Sequence, residues 1–319
     1  MITIDLITGF LGSGKTTFLK KYVRYLLSQK ENVCVLENDY GAVNVDMMLL
    51  SDLYDEGCDV EMVAGGCDSD CHRRRFKSKL IEMGMLGYTR VVVEPSGVFD
   101  VDEFYDSLQE EPLNRWYRAG SQITIADAGL ALPLSDTSRY VFASEAANAG
   151  RIVISKVQQN PLDSSDKIIA YLNESLAAIS CDRRITRDDV ISKDWGELSD
   201  KDMQLIENAG YRDYSFEKQQ VLDEHRYESL YFMEKGFSAD DLKEKARTAI
   251  DDPACGGIIR IKGFCGDRGR GFTEINVTKD DLTVRPVKDG QDIVIVIGEG
   301  LRKERLAQIF GEPAEIHAD

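Results

Sequence analysis

The 319-residue chain reads as an α/β protein whose first domain is built on a mostly parallel sheet, with a smaller α+β domain at its C-terminal end. Three observations predict this class. Short apolar runs alternate with longer amphipathic stretches through the first 150 residues, as in βαβ units. A glycine-rich motif follows the first apolar run directly and opens the first amphipathic stretch. Beyond residue 220 the pattern changes to one helix followed by closely spaced strand runs.

The strand runs of the first domain are Ile2 to Thr8, Val33 to Glu37, Val60 to Val63, Arg90 to Glu94, Gln122 to Asp127 and Arg151 to Ser155. Between the first two, Phe18, Leu19, Tyr22, Val23, Leu26 and Leu27 recur at helical spacing while Lys20, Lys21, Arg24 and Lys30 fall on other faces, which predicts a helix packed on the sheet. The polar stretch from Asp182 to Arg226, with a helical piece at Asp200 to Ala209, reads as the tail of the first domain running into a linker. The expected domains are 1–220 and 221–319. The second contains a helix around Ser238 to Asp251, strands at Gly257 to Lys262, Phe272 to Val277 and Asp292 to Ile297, and a closing helix from Arg302 to Phe310. No internal repeat or low-complexity tract interrupts the chain.

Gly9-Phe10-Leu11-Gly12-Ser13-Gly14-Lys15-Thr16 satisfies G-x-x-x-x-G-K-[ST] with a strand before it and a helix after it, so the first domain is expected to be a P-loop NTPase domain. Glycines let backbone N–H groups turn inward around phosphate oxygens at a helix N-terminus, where the dipole also favours negative charge. Lys15 is placed to reach the β- and γ-phosphates and Thr16 to ligate Mg²⁺. Glu94-Pro95-Ser96-Gly97 follows the apolar run Val91 to Val93. A carboxylate there organises Mg²⁺ or the attacking water, and the glycine N–H senses the γ-phosphate. Lys15, Glu94 and Gly97 are thus the catalytic candidates. Asp127, ending another apolar strand, is read equally as a functional group or a structural cap.

With these motifs in order, the chain resembles the CobW/YjiA-like P-loop GTPases, a group that includes metal-insertion chaperones and relates to the hydrogenase and urease nickel-insertion GTPases. Thr8 to Thr17 is similar to that family's phosphate loop, Glu37-Asn38-Asp39-Tyr40-Gly41 to its Asn-Glu-Phe-Gly segment, and Glu94 to Gly97 to its E-[ST]-[ST]-G motif with a proline substituted. Ile259 to Phe264 and Ile295 to Gly298 resemble strands of its second domain. The resemblance implies GTP held by Gly9, Gly12, Ser13, Gly14, Lys15, Thr16 and Thr17, with the base read by Ser155, Lys156 and Gln158. Gln158 stands where the guanine motif has aspartate, and a neutral amide replaces the charge-assisted pair to the guanine edge. Glu37 and Asp39 fall where the family places acids near nucleotide and metal; a turn cap is the competing reading. Dimerisation across the nucleotide face is common among members.

The family's metal motif is G-C-x-C-C, whereas this chain has Gly66-Cys67-Asp68-Ser69-Asp70-Cys71, with three residues between the thiols. Cys58, Glu61, Asp68, Asp70 and His72 lie near Cys67 and Cys71 in sequence, and thiolate and imidazole ligands suit Zn²⁺ or another transition metal. Buried thiols among solvated acids are the alternative. His72-Arg73-Arg74-Arg75 is a basic knot that reads as a solvated helical face or as a phosphate or dimer contact.

The formal charge of −17, from 56 acidic and 39 basic residues, opposes phosphate backbones and anionic membranes, and no apolar run nears the roughly 18 residues of a membrane span. The expectation is no nucleic-acid or membrane partner. Seven cysteines, an odd number in a long chain, read as reduced thiols. With no export signal visible at Met1 to Ile7, the expected location is the cytoplasm. The function expected is Mg²⁺-dependent GTP binding and hydrolysis coupled to delivery of a metal or metallocofactor to a client protein. The competing readings are a nucleotide-switched maturation protein that carries no metal, and an ATP-preferring P-loop ATPase.

Overall fold

The computed structural model describes residues 1–39, 49–64, 69–96, 101–218, 228–267, 271–279, 281–287 and 290–314, with only the backbone of Asp39, Ala64, Ser69, Asp70 and Asp267. Two units emerge: Met1–Tyr40 with Asp52–Leu222, and Gly41–Ser51 with Asp223–Asp319.

In the first unit the elements run β1 (Ile2–Thr8), α1 (Lys15–Ser28), β2 (Val33–Asp39), α2 (Ser51–Asp55), β3 (Asp59–Ala64), α3 (Ser69–Gly84), β4 (Arg90–Pro95), α4 (Val101–Gln109), α5 (Leu113–Trp116), β5 (Tyr117–Asp127), α6 (Asp136–Ala147), β6 (Arg151–Ser155), α7 (Ser164–Ala178), β7 (Val190–Ile191) and α8 (Asp200–Glu207). The seven strands form one sheet in the order β3-β2-β4-β1-β5-β6-β7. Every pairing is parallel. β1 and β4 are buried along their whole length, because helices cover both faces of such a sheet; most of their residues are apolar, and the charged Asp5 and Arg90 are buried as a pair. On one face Leu80, Met83, Phe104, Leu108 and Leu113 pack on Ile4, Leu6, Val91 and Val93. A parallel sheet brings the carboxyl ends of its strands to one edge, where the first unit gathers its chemistry.

The polar stretch expected to lead into a linker carries more structure than that. It holds the last strand, β7, and then α8, and it buries Ile185, Ile191, Met203 and Ile206. A two-residue strand is too short to leave a periodic signal.

In the second unit, β8 (Glu228–Met233), α9 (Ala239–Asp251), β9 (Gly257–Asp267), β10 (Gly271–Val277), β11 (Leu282–Val287), β12 (Ile293–Glu299) and α10 (Lys303–Phe310) build a five-stranded antiparallel sheet ordered β11-β10-β9-β12-β8. Leu242, Ala246 and Ala249 of α9 and Leu306 and Phe310 of α10 share a core with Phe232, Ile261, Ile275, Val294 and Val296 of the strands. The α+β expectation holds. β9 runs five residues past the expected Lys262 because Gly263 is an approach point rather than a stop: a Cβ there would lie 2.6 Å from Leu242 Cδ2. β8 and the edge strand β11 went unread.

Candidate functional site

The site starts where β1 hands over to α1. Gly9 has φ 147°, and a Cβ on it would sit 2.4 Å from the carbonyl oxygen of Ile125 on β5, so only glycine lets the loop leave the sheet here. The loop tightens through a hydrogen bond from Ser13 N to Phe10 O at 3.0 Å, and α1 begins with Phe18 N on Gly14 O. Lys15, buried as the first helical residue, bends back to donate to Gly9 O at 2.8 Å. The Ser13 hydroxyl is buried with no hydrogen-bond partner among the described residues. Gly9, Gly12, Ser13, Gly14 and Lys15 therefore form one cradle at a helix N-terminus, a ready anion site, with Thr16 behind it and Thr17 on the exposed side.

Thr16 Oγ1 donates to Glu94 Oε1 at 2.8 Å, bringing together two candidates that lie 78 residues apart. Glu37 on β2 pairs in register with Glu94 on β4. Both are buried, so two carboxylates stand side by side at the strand ends near the threonine hydroxyl. Oxygen donors of this kind fit Mg²⁺. Asp39 ends β2; its side chain lies outside the described residues, as do Gly97, Cys67, Asp68 and the Tyr40-Gly41 pair.

The expected base-reading residues follow β6. Ser155 is buried at its end, Lys156 adopts a left-handed backbone with φ 54°, and its ammonium pairs with Asp127 Oδ2 at 2.6 Å. Asp127 also caps its own turn through Gly129 N at 2.8 Å, so both of its readings have a structural counterpart. Gln158 lies exposed in a short 3₁₀ turn. Trp195 was not foreseen. Its indole N–H donates to Ile154 O at 3.1 Å, its ring meets Phe18 edge-on at 5.4 Å, and Cη2 lies 3.2 Å from where a Cβ of Gly14 would sit. The one visible signal was a lone large aromatic in the polar run Ser192 to Glu197.

Glu145 was missed as well. It is the single acid within the apolar run Val141 to Ala147, and its side chain is fully buried behind the loop. Burial pushes its carboxyl up to about 8, against the opposing pull of Lys15 and the Gly9 N–H.

The described members of the cysteine and acid cluster separate. Cys58 is a core thiol that donates to Val33 O at 3.4 Å, and burial pushes it up to about 12, so it is a small hydrophobe rather than a metal ligand. Glu61 is tied to Lys79 at 3.1 Å. Buried His72 is pushed down to about 4 by desolvation and by Arg75, which leaves it neutral. Arg73 pairs with Glu110 at 2.9 Å, dividing the basic knot. Cys71 is half-buried and lines a groove of about 450 Å³ with Met62, Arg74, Arg75 and Lys79. Among the described residues no three Cys, His, Asp or Glu side chains group closely enough to hold a metal ion.

A seven-stranded sheet with β1 running through a glycine-rich cradle into α1, and with a strand-end carboxylate bonded to the helix threonine, defines a P-loop NTPase domain. The family model for the CobW/HypB/UreG nucleotide-binding domain matches residues 3–187, more than half of the chain, and the chain belongs to this family. Two curated relatives come from Escherichia coli K12. The zinc chaperone YeiR is 30% identical over 172 residues, covering 53% of this chain and 50% of YeiR. The zinc chaperone YjiA is 28% identical over 136 residues, covering 40% of this chain and 41% of YjiA. The chain thus spans about half the length, or less, of the curated relatives it matches. The crystal structure of Zn(II)-bound YjiA GTPase from E. coli covers 97% of this chain and 98% of its own at 15% identity, with a TM-score of 0.37, a superposition too loose to carry an argument. No helix among the described residues is long and apolar enough to cross a membrane.

Proposed function

We propose that the protein is a Mg²⁺-dependent GTPase in which nucleotide state governs the holding and delivery of a transition metal, Zn²⁺ first among the candidates, to a client metalloprotein in the cytoplasm. The observation that carries the reading is the Thr16–Glu94 hydrogen bond at the mouth of a complete phosphate loop. Thr16 and Glu94, with Glu37 beside them, would hold Mg²⁺; when bound, the ion neutralises charge on the β- and γ-phosphate oxygens. Lys15 would leave Gly9 O for those phosphates, while the loop amides and the Ser13 hydroxyl orient them. Ser155, Lys156 and Gln158 would face the base, with Trp195 closing the wall beside Gly14. Glu94 would also position the attacking water, and the segment to Gly97 would respond when the γ-phosphate leaves.

Asp39, Cys67 and Cys71 are the ligands proposed for the cargo. The relatives named as zinc chaperones support the metal. The burial of Cys58 in the core favours a second reading, a nucleotide switch that matures its partner without carrying metal. A Zn²⁺ and Co²⁺ titration of the reduced protein, with and without a non-hydrolysable GTP analogue, separates them. Nucleotide-dependent binding lost in Cys67→Ser, Cys71→Ser supports the metallochaperone; absent binding with normal hydrolysis supports the metal-free switch.

A further inference from the structure

Glu145 lies on α6, directly behind the phosphate loop. Its backbone carbonyl is fixed by two β5 side chains, accepting from Gln122 Nε2 and Thr124 Oγ1 at 2.8 Å each. Thr124 Oγ1 in turn hydrogen-bonds Thr8 Oγ1 at 2.8 Å, in the residue before the loop. The helix is thus pinned to the base of the cradle. The Glu145 side chain has no solvent exposure, and among the described residues neither carboxylate oxygen has a partner in full hydrogen-bond geometry; the Gly9 N–H approaches the carboxyl without meeting that geometry. Among the described residues, Lys15 is the one charged side chain that acts on it. The Gly9 N–H also favours its anion; the β5 side chains bonded to its backbone, Gln122 and Thr124, are neutral, and among the described residues no charged group of β6 or α7 contributes. Lys15 itself is already engaged, donating to Gly9 O at 2.8 Å.

A buried carboxylate without hydrogen bonds is stable only when protonated or paired. Triphosphate would draw the Lys15 ammonium outward and set several negative charges above the loop, so an ionised Glu145 would lose its counter-charge and gain repulsion together. We propose that Glu145 is the buried proton carrier of the phosphate loop: its carboxyl must be neutral when triphosphate is bound, so triphosphate binding and proton retention at Glu145 are thermodynamically coupled. The coupling rests on the nucleotide-binding reading above and adds to it a positioning residue and a direction of pH dependence. The sign follows from linkage. Below the folded value of about 8 the acid is already neutral and binding needs no proton. Above it, each triphosphate bound must take one up, and affinity falls towards tenfold per pH unit.

The test is binding of a non-hydrolysable GTP analogue with Mg²⁺ to the full chain, wild type and Glu145→Gln, from pH 6.5 to 9.5. The wild-type dissociation constant should rise steeply above pH 8 while that of Glu145→Gln stays near its neutral-pH value; parallel profiles would overturn the coupling. If the variant does not fold, calorimetry of the wild type at pH 8.5 in two buffers of different ionisation enthalpy reads proton uptake directly. Uptake of about three-quarters of a proton, the ionised fraction at that pH, supports the proposal and zero uptake overturns it. Absence of binding at neutral pH in a folded protein would bring down the nucleotide reading itself, and the coupling with it, a result distinct from binding with parallel profiles.

Discussion

Gly9 leaves no space for a side chain, since its Cβ would meet the Ile125 carbonyl oxygen at 2.4 Å on a backbone with φ 147°. Gly9→Ala is therefore expected to lower stability by at least about 2 kcal/mol, read as a shifted urea midpoint at unchanged slope. In the proposed mechanism Thr16 and Glu94, joined by their hydrogen bond, would hold the cation instead. Thr16→Ala or Glu94→Gln should leave folding nearly intact and weaken Mg²⁺-dependent hydrolysis by roughly 10- to 100-fold, with the loss visible in a Mg²⁺ titration of the rate. Trp195, packed beside Gly14 and Phe18, supplies a reporter. The chain has two tryptophans, so in a Trp116→Phe background nucleotide should change the remaining emission; an unchanged spectrum would remove Trp195 from the proposed nucleotide wall.

Among the elements, β4 joins the stability of the sheet to its chemistry. At one end Arg90 lies between Asp5 Oδ2 at 2.8 Å and Glu207 Oε1 at 2.9 Å, and Asp5 further accepts from Tyr22 and Ser121 N. Burial outweighs Arg90 at Asp5 and leaves its carboxyl raised. Removing the guanidinium strands that carboxylate in the sheet, so Arg90→Met should cost about 3–5 kcal/mol, and adding Asp5→Asn should recover part of the loss in a double-mutant cycle. At its other end β4 presents Glu94. The long apolar strands and α1 were legible because their periodicity spans whole elements. β7 was not, at two residues. Nor was β11, an edge strand containing Pro286 whose side chains are exposed or half-buried, which leaves no alternation to read. Gly263, just past the expected end of β9 at Lys262, marks contact with Leu242.

At the scale of the whole molecule each of the two units has a hydrophobic core of its own among the described residues, so thermal unfolding is expected in more than one calorimetric transition. Nucleotide at 100 times its dissociation constant should stabilise only the transition of the first unit, by about 2.7 kcal/mol. The residues of the candidate site were legible to different degrees for physical reasons. The phosphate loop has a fixed spacing because backbone amides must encircle phosphate, so Gly9 to Thr16 could be read directly. Trp195 and Glu145 reach the loop from distant segments, and packing alone brings them there. The cysteine cluster misled at Cys58 because proximity in sequence does not stop the chain entering β3 from turning one thiol into the core. The most direct measurement is calorimetric titration of the intact chain and of Lys15→Ala with a non-hydrolysable GTP analogue and its ATP counterpart, each with Mg²⁺. One-to-one binding that prefers the guanine nucleotide and is lost in Lys15→Ala is expected; no binding by the folded wild type, undiminished affinity in the variant, or preference for the adenine nucleotide would overturn the proposed nucleotide site.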